Sequence, residues 1–360
     1  MPQETGIKEM KSFIVKVLIV IVLFLLSLFA VYLLGAASGV LLLVFLGILL
    51  GAMLDGMAGL LRRYLKLPRK LAVIASVLIL LMLVVATGWF IGPRLGEQMT
   101  ELSRKIPEAA GKVQDMIINT SWGKALVNMA PSAKEAMPSA PDIIGYLTGF
   151  FSSTFTLISN IVIMFFIGIY LAIDPGLYVD NLIMLFPASK RERARTVLHY
   201  CMRALKWWLV GRFSSMAVVG ILTALGLWII GVKTALSLGI IAALFSFIPF
   251  LGPFLSFIPA FLISFLQDPA LSYSVILVYI IVQSVESYFL TPLIDQKTVS
   301  NPPALLITIQ LLMGVLTGPI GVILASPLVV VVIILIQTVY VEGILGSRIK
   351  VMGDQSSKSG

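Results

Sequence analysis

A glutamine and a glutamate lie three residues apart in the apolar stretch VQSVESYFLTPLID, residues 282–295. Side chains at this spacing share one face of a helix, so Gln283 and Glu286 are predicted to point the same way. A carboxylate inside a membrane span is costly and therefore indicates a functional site, one that binds and releases a proton or pairs with a cation. The alternative is an acid held by a helix neighbour or a lysine. Gln310, in the next apolar stretch, is predicted to add an amide to the same pathway.

Two further acids have simpler interpretations. Asp174 in YLAIDPG precedes Pro175, a pair that suits the N-terminus of a helix as well as it suits a substrate contact. Asp55 lies near the end of an apolar segment and close to several arginines, so we interpret it as structural.

Motifs of enzymes and metal sites do not occur in the sequence. There is no HExxH, no serine nucleophile elbow and no phosphate-binding glycine loop, and the chain has one cysteine and one histidine. We therefore predict that the protein is not an enzyme, has no catalytic or metal-binding residues and needs no cofactor. Any active transport is expected to draw on an ion or solute gradient.

The composition indicates the elements that carry these residues. Hydrophobic residues make up 59% of the 360 residues and charged residues 12%, and the mean hydropathy is +1.04. Windows of about 20 residues with few or no charges, each enough to cross a bilayer, recur along the chain. We predict an all-α polytopic membrane protein with about eight transmembrane segments. They are Phe13–Leu34, Val40–Leu61, Leu71–Gly92, Gly149–Ile173, Phe213–Ile230, Ala235–Phe265, Leu271–Leu290 and Ala304–Tyr340.

The net charge of +9 is concentrated beside the predicted spans. Such clusters orient a protein by the positive-inside bias and attract anionic lipid headgroups. We therefore predict the bacterial inner membrane with both termini in the cytoplasm, anionic lipids as partners and no nucleic acid. The clusters are Lys8, Lys11 and Lys16; Arg62, Arg63, Lys66, Arg69 and Lys70; and Lys190, Arg191, Arg193, Arg195, Arg203, Lys206 and Arg212.

The predicted domain organisation follows from these segments. Residues 1–92 form N-terminal transmembrane helices, 93–148 an extracytoplasmic helical segment, 149–345 a transporter core and 346–360 a C-terminal tail. Within the core, residues 189–212 are amphipathic and are predicted to lie on the cytoplasmic membrane surface. The apolar stripe of residues 95–117 packs either on its own protomer or on another subunit.

Two of the apolar segments are too long for one crossing and are broken near the middle. Ala235–Phe265 and Ala304–Tyr340 contain IPFLGP and LTGPIG, and as straight helices they would reach roughly 46 and 55 Å. Proline removes an amide donor and glycine permits unusual backbone angles. Paired interruptions of this kind point to a transporter binding site. The candidate residues are Pro249, Gly252, Pro253, Gly318, Pro319 and Gly321, in re-entrant hairpins or in kinked spans.

The motifs together resemble those of the autoinducer-2 exporter family of bacterial inner-membrane permeases. The matching pieces are YLAIDPG, WLVGR, GLWIIGV, FIPFLGP with IPA, QSVESYFLTPLI with NPPALL, and GPIGVILASPL. By position the family residues are Pro249, Gly252, Pro253, Gln283, Glu286, Pro292, Gly318, Gly321 and Pro327. At the position of Arg212 the family often has glutamine, which separates this chain from its relatives at a possible substrate contact.

The resemblance implies a multi-span transporter that assembles as a homo-oligomer, a pentamer in particular. We predict a secondary transporter that exports a small polar solute, autoinducer-2 or a related signalling molecule, through a site between the broken segments. One alternative is an antiporter of Na+ or Li+ against protons. Another is a non-transporting membrane scaffold that acts through the extracytoplasmic stripe.

Overall fold

The computed structural model describes residues 2–89, 93, 97, 154–292 and 302–346. Regular secondary structure in these residues is entirely helical, which confirms the all-α prediction. The predicted extracytoplasmic segment 93–148 lies outside the described residues, apart from positions 93 and 97. The chain divides into two compact units, residues 1–45 and 46–360, and every contact discussed below lies within the second.

Ten α-helices are described in the structure. They are α1 (Pro2–Leu65), α2 (Arg69–Trp89), α3 (Thr154–Ile173), α4 (Pro175–Met184), α5 (Arg191–Ile229), α6 (Ala235–Phe245), α7 (Leu251–Gln267), α8 (Pro269–Val285), α9 (Pro303–Thr317) and α10 (Pro319–Leu335). A π-helical turn continues α8 over Glu286–Leu290, and another continues α10 over Ile336–Val341.

The prediction of two separate spans at the N-terminus is wrong. The segments Phe13–Leu34 and Val40–Leu61 belong to one uninterrupted helix of 64 residues, α1. The sequence between them contains Gly35 and Gly39 but no proline. Glycine in a helix interior costs only about 1 kcal/mol relative to alanine, which does not end a helix whose backbone hydrogen bonds remain intact.

Within the described residues, five helices are long and apolar enough to cross a bilayer. A sixth span is formed if α3 and α4, which meet at an angle of 88° beside Asp174, are taken as one. The polytopic character predicted from composition is thus confirmed. The predicted segment Ala235–Phe265 is divided into two shorter helices, α6 and α7. Ala304–Tyr340 is divided into the shorter α9 and the span-length α10.

Helix α5 is the central element of the core. It joins the predicted surface segment 189–212 and the predicted span Phe213–Ile230 in one helix of 39 residues. Its apolar residues Cys201, Leu205 and Trp208 are buried within the protein. Small residues allow α5 and α6 to approach closely, because a Cβ added at Gly220 would meet the Cβ of Ala243 at 2.6 Å. The amphipathic pattern of this segment therefore reflects packing inside the protein.

The first broken segment is a helical hairpin. Gln267, the last residue of α7, donates from Nε2 to the carbonyl of Gly231 at 2.8 Å. Its Oε1 accepts from the backbone amide of Lys233 at 3.2 Å. Both partners lie just before α6 begins, so α7 returns alongside α6 and its end closes the open side of the hairpin.

The second broken segment, α9 and α10, folds back in the same way. A Cβ placed on Gly314 would lie 3.0 Å from Cγ2 of Val322, eight residues later. In a straight helix that separation would put the two residues about 12 Å apart along the axis. The chain therefore reverses at Gly318, and both broken segments are hairpins and not kinked spans. Their re-entry into a membrane stays a prediction.

Candidate functional site

The break of the first hairpin is a strained turn. Ser246 is the C-cap of α6, and the backbone amide of Leu251 donates to the carbonyl of Pro249 at 2.7 Å across Phe250. Phe250 has φ 63° and ψ −49°, the rare form of γ-turn that puts a non-glycine residue at positive φ. A Cβ at Gly252 would lie 2.0 Å from the carbonyl oxygen of Phe245, so only glycine fits there. Strain of this kind concentrates at functional sites.

The break of the second hairpin uses glycine and proline directly. Gly318 has φ 72°, a conformation that favours glycine, and Pro319 begins α10 in the position that proline suits best. A Cβ at Gly321 would lie 1.9 Å from Oγ1 of Thr317 and 2.6 Å from the carbonyl oxygen of Met313. The predicted glycines and prolines thus shape both breaks.

The two hairpins meet through a buried glutamine. Gln310, on α9, is fully buried and donates from Nε2 to the carbonyl of Pro249 at 3.0 Å. Its Oε1 is buried and accepts no hydrogen bond from the part of the chain that the structure describes. A buried acceptor without a donor is costly. The contact between the hairpins therefore includes a hydrogen-bond acceptor, Oε1 of Gln310, that no described residue uses.

Trp208 of α5 contacts both hairpins as well. Its indole Nε1 donates to Oγ of Ser326, on α10, at 3.1 Å. Its ring packs edge-on against Phe247, in the first break, with the centroids 5.5 Å apart. Helix α5 and the two breaks consequently form one connected region.

Glu286 is the buried acid of this region, with 8% of its surface exposed. Its Oε1 accepts a hydrogen bond from Oγ of Ser215 at 2.5 Å, and its Oε2 accepts from Nε2 of Gln283 at 3.4 Å. The predicted shared face of Gln283 and Glu286 is confirmed. Glu286 also begins a π-helical turn, a distortion frequent at functional sites.

Arg212 links the acid to the first break. Its Nη1 lies 3.9 Å from Oε1 of Glu286 and donates to the carbonyl of Ser246 at 3.3 Å. Both charged side chains are largely buried, with 17% and 11% of their side-chain surface exposed. Low solvent exposure strengthens the attraction between them. The carboxylate, the guanidinium and the end of α6 form one polar group inside an apolar core.

The structure thus joins several of the predicted site residues and separates others. One cluster is formed by Glu286, Gln283 and Arg212, and Gln310 with Pro249 joins it through the first break.

Asp174 lies outside this cluster. Its Oδ1 accepts from the amide of Leu177 at 3.3 Å, which confirms the helix N-cap. Pro292 follows the π-turn that begins at Glu286, and Pro253 lies in the first turn of α7. Among the described residues no three His, Cys, Asp or Glu side chains group as metal ligands.

Asp55 has the structural role that the sequence indicated. Its Oδ1 accepts from Nη2 of Arg69 at 2.6 Å, and its Oδ2 pairs with Nζ of Lys206. Arg69 also reaches the carbonyl of Ala172 at 3.4 Å. The acid therefore ties α1 to α2 and α5, away from the Glu286 cluster.

Three residues of the site were not identified from the sequence. Ser215 and Trp208 lie on α5 on either side of Arg212, one helical turn away in each direction, and Ser246 is the C-cap of α6. The spacing on α5 was a usable signal, because residues three and four apart share a face. Ser246 acts through its backbone carbonyl, for which side-chain identity carries no signal.

These features define a class of protein: a polytopic helical membrane protein with two helical hairpins that meet beside a buried acid–base pair. The comparison with protein families agrees. Residues 18–340 match the family model described as AI-2E family transporter, and the chain belongs to that family. The resemblance drawn from the motifs is confirmed.

Curated relatives from two organisms extend this finding. The candidate transport protein YueF of Bacillus subtilis (strain 168) is 26% identical over 282 residues, covering 74% of this chain and 76% of YueF. The candidate transport protein YrrI of the same organism is 26% identical over 276 residues, covering 72% of this chain and 76% of YrrI. A candidate transport protein of Methanothermobacter thermautotrophicus is 26% identical over 184 residues, about half of each chain. A role in transport is common to these descriptions.

Proposed function

We propose that the protein is a secondary transporter that exports a small polar solute between its two hairpins, with Glu286 as the coupling group. Autoinducer-2 or a related small hydrophilic signalling molecule is the candidate solute. The observation that carries the proposal is the link from the buried Glu286 carboxylate through Arg212 to the carbonyl of Ser246 at the first break. Membership of a transporter family supports it.

The physical basis is the charge balance of the site. A helix C-terminus carries partial negative charge on its free carbonyls, and Ser246 presents such a carbonyl beside a carboxylate and a guanidinium. Protonation of Glu286 would remove one charge from this group and weaken the attraction between Glu286 and Arg212. A change in charge at Glu286 would therefore act directly on the break of the first hairpin.

We further propose the setting in which this transport takes place. The protein works as a homo-oligomer, a pentamer in particular, in the bacterial inner membrane with both termini in the cytoplasm. The basic clusters beside the spans support the orientation. Native mass spectrometry of the detergent-solubilised protein would give the subunit number, and cysteine labelling from either side of the membrane would give the orientation.

The transport proposal is tested by flux in vesicles reconstituted with the purified protein. Autoinducer-2 and a panel of small hydroxylated solutes would be followed under an imposed proton gradient at several pH values. We expect Glu286→Gln to abolish the dependence of flux on the gradient. The control is Glu342→Gln, which removes an acid paired with Arg193 at 3.7 Å and 42% exposed. Gradient-dependent flux that is unchanged in Glu286→Gln would refute the coupling role.

An antiporter of Na+ or Li+ against protons is the second candidate. The observation that favours it is the convergence of oxygen atoms from Glu286, Ser215 and Ser246, since monovalent cations are held by carboxylates and by carbonyls at half-helix ends. Proton movement reported by a dye inside the vesicles, on addition of either ion, would support this function. The absence of a response to both ions would exclude it.

A further inference from the structure

We propose that Arg212 is a built-in cation that occupies the position where a monovalent metal ion would otherwise bind, so that the site needs no Na+ or Li+. The inference rests on the proposed function and deepens it, because it names the ion that this transporter does not use. It also identifies the residue that determines this specificity.

The groups around the guanidinium are those that hold a small cation in transporters. Ser246 lies at the C-terminal end of the half-helix α6, and its carbonyl oxygen is 3.3 Å from Nη1 of Arg212. The carboxylate oxygen Oε1 of Glu286 is 3.9 Å from the same nitrogen. Carbonyls at half-helix C-termini coordinate coupling ions in discontinuous-helix transporters. Here the space between these two oxygens is taken by a nitrogen of the protein.

Arg212 acts on Glu286 through its charge and not through a direct hydrogen bond. The distance of 3.9 Å exceeds the range of a hydrogen bond, and Oε1 already accepts one from Ser215 at 2.5 Å. Within the described residues Arg212 is the cationic side chain found within 4.0 Å of this carboxylate. A guanidinium stays protonated at any physiological pH, so the charge it supplies is permanent.

Removal of this charge is expected to change the site in a defined way. The Glu286 carboxylate would lose its counter-charge while Ser215 still held it in place. A buried carboxylate without a counter-charge is strongly unfavourable. The oxygens of Glu286 and Ser246 would then be available to a small cation. The variant Arg212→Gln is therefore expected to bind Na+ and Li+, whereas Arg212→Lys retains a positive charge and is not.

The test uses the thermal stability of the full-length protein purified in detergent. Melting temperatures are compared in sodium chloride, lithium chloride and choline chloride at equal ionic strength. For the unsubstituted protein we expect the three salts to give the same value. For Arg212→Gln we expect sodium or lithium to raise the melting temperature by roughly 1–2 °C at about five times the dissociation constant.

Three variants serve as controls. Arg212→Lys should behave as the unsubstituted protein, and the double variant Arg212→Gln with Glu286→Gln should lose the gain, which places the ion at the carboxylate. Arg195→Gln removes an exposed arginine that pairs with Asp180 at 2.7 Å and should show no gain. If Arg212→Gln does not fold, Arg212→Met removes the same charge and is measured in its place.

Two results would overturn the inference. One is a stabilisation of the unsubstituted protein by sodium or lithium that disappears in Glu286→Gln. The other is a folded Arg212→Gln variant without any ion-specific stabilisation. Because the measurement reports ion binding and not flux, it can fail while the proton-coupled transport proposal stands. Conversely, a failed flux experiment leaves the binding result unaffected.

Discussion

The side-chain amide of Gln310 donates a hydrogen bond to the carbonyl oxygen of Pro249 at 3.0 Å, across 61 residues of chain. The donor lies on α9 of the second hairpin and the acceptor in the break of the first. The same carbonyl also accepts the amide of Leu251 that closes the γ-turn. A displacement of one hairpin therefore acts on the strained turn of the other.

We expect Gln310→Met to reduce transport without lowering stability. The variant loses one hydrogen bond, which lowers stability by about 1 kcal/mol. It also removes the buried Oε1 that has no donor among the described residues, which raises stability by about the same amount. Flux in vesicles and denaturant unfolding would be measured together. Thr308→Val, at an exposed site on the same helix, is the control. A parallel loss of flux and stability would indicate a purely structural residue.

The hydrogen bond from Ser215 is expected to stabilise the Glu286 carboxylate. Ser215→Ala should lower the free energy of unfolding by about 1.5–3 kcal/mol, because it removes a donor from a buried charged group. The neighbouring Ser214→Ala should have little effect, since its exposed hydroxyl bonds only to the carbonyl of Val210. Equal stability of the two variants would contradict this assignment.

The strain at Phe250 is measurable with two substitutions at one position. Both Phe250→Gly and Phe250→Ala remove the ring, but only alanine keeps a Cβ at φ 63°. We expect the glycine variant to be more stable than the alanine variant by roughly 1–2 kcal/mol. Thermal unfolding of the two proteins gives the difference directly. A more stable alanine variant would show that the turn relaxes when the ring is lost.

The acid at position 55 should contribute more to stability than a typical surface acid. Asp55 is 27% exposed and pairs with both Arg69 and Lys206, so Asp55→Asn leaves two partly buried cations without a counter-charge. We expect a loss of about 1–2 kcal/mol. Asp180→Asn, whose acid is 51% exposed and pairs with Arg195, should change stability by less than about 0.5 kcal/mol. Unfolding of the two variants under the same conditions is the measurement.

Features governed by neighbours along the chain could be predicted from sequence. Gln283 and Glu286 share a helix face because they are three residues apart, and Asp174 caps α4 because it precedes Pro175. The breaks at Pro249 and Gly318 follow from the missing proline amide and the freedom of glycine. The predicted N-terminal break was wrong, because glycines without proline did not interrupt α1.

The composition of the site depends on contacts between distant parts of the chain. Ser215 reaches Glu286 across 71 residues, and Arg212 reaches Ser246 across 34. The second contact requires α5 to pack closely on α6, through small residues such as Gly220 and Ala243. The first requires α5 to pack against the π-helical turn that continues α8. Local spacing determines which side chains share a face and where backbone hydrogen bonding fails, so both could be inferred in advance. Which faces meet depends on the packing of the whole core. The pairing of Glu286 with Arg212 is therefore decided by the tertiary structure.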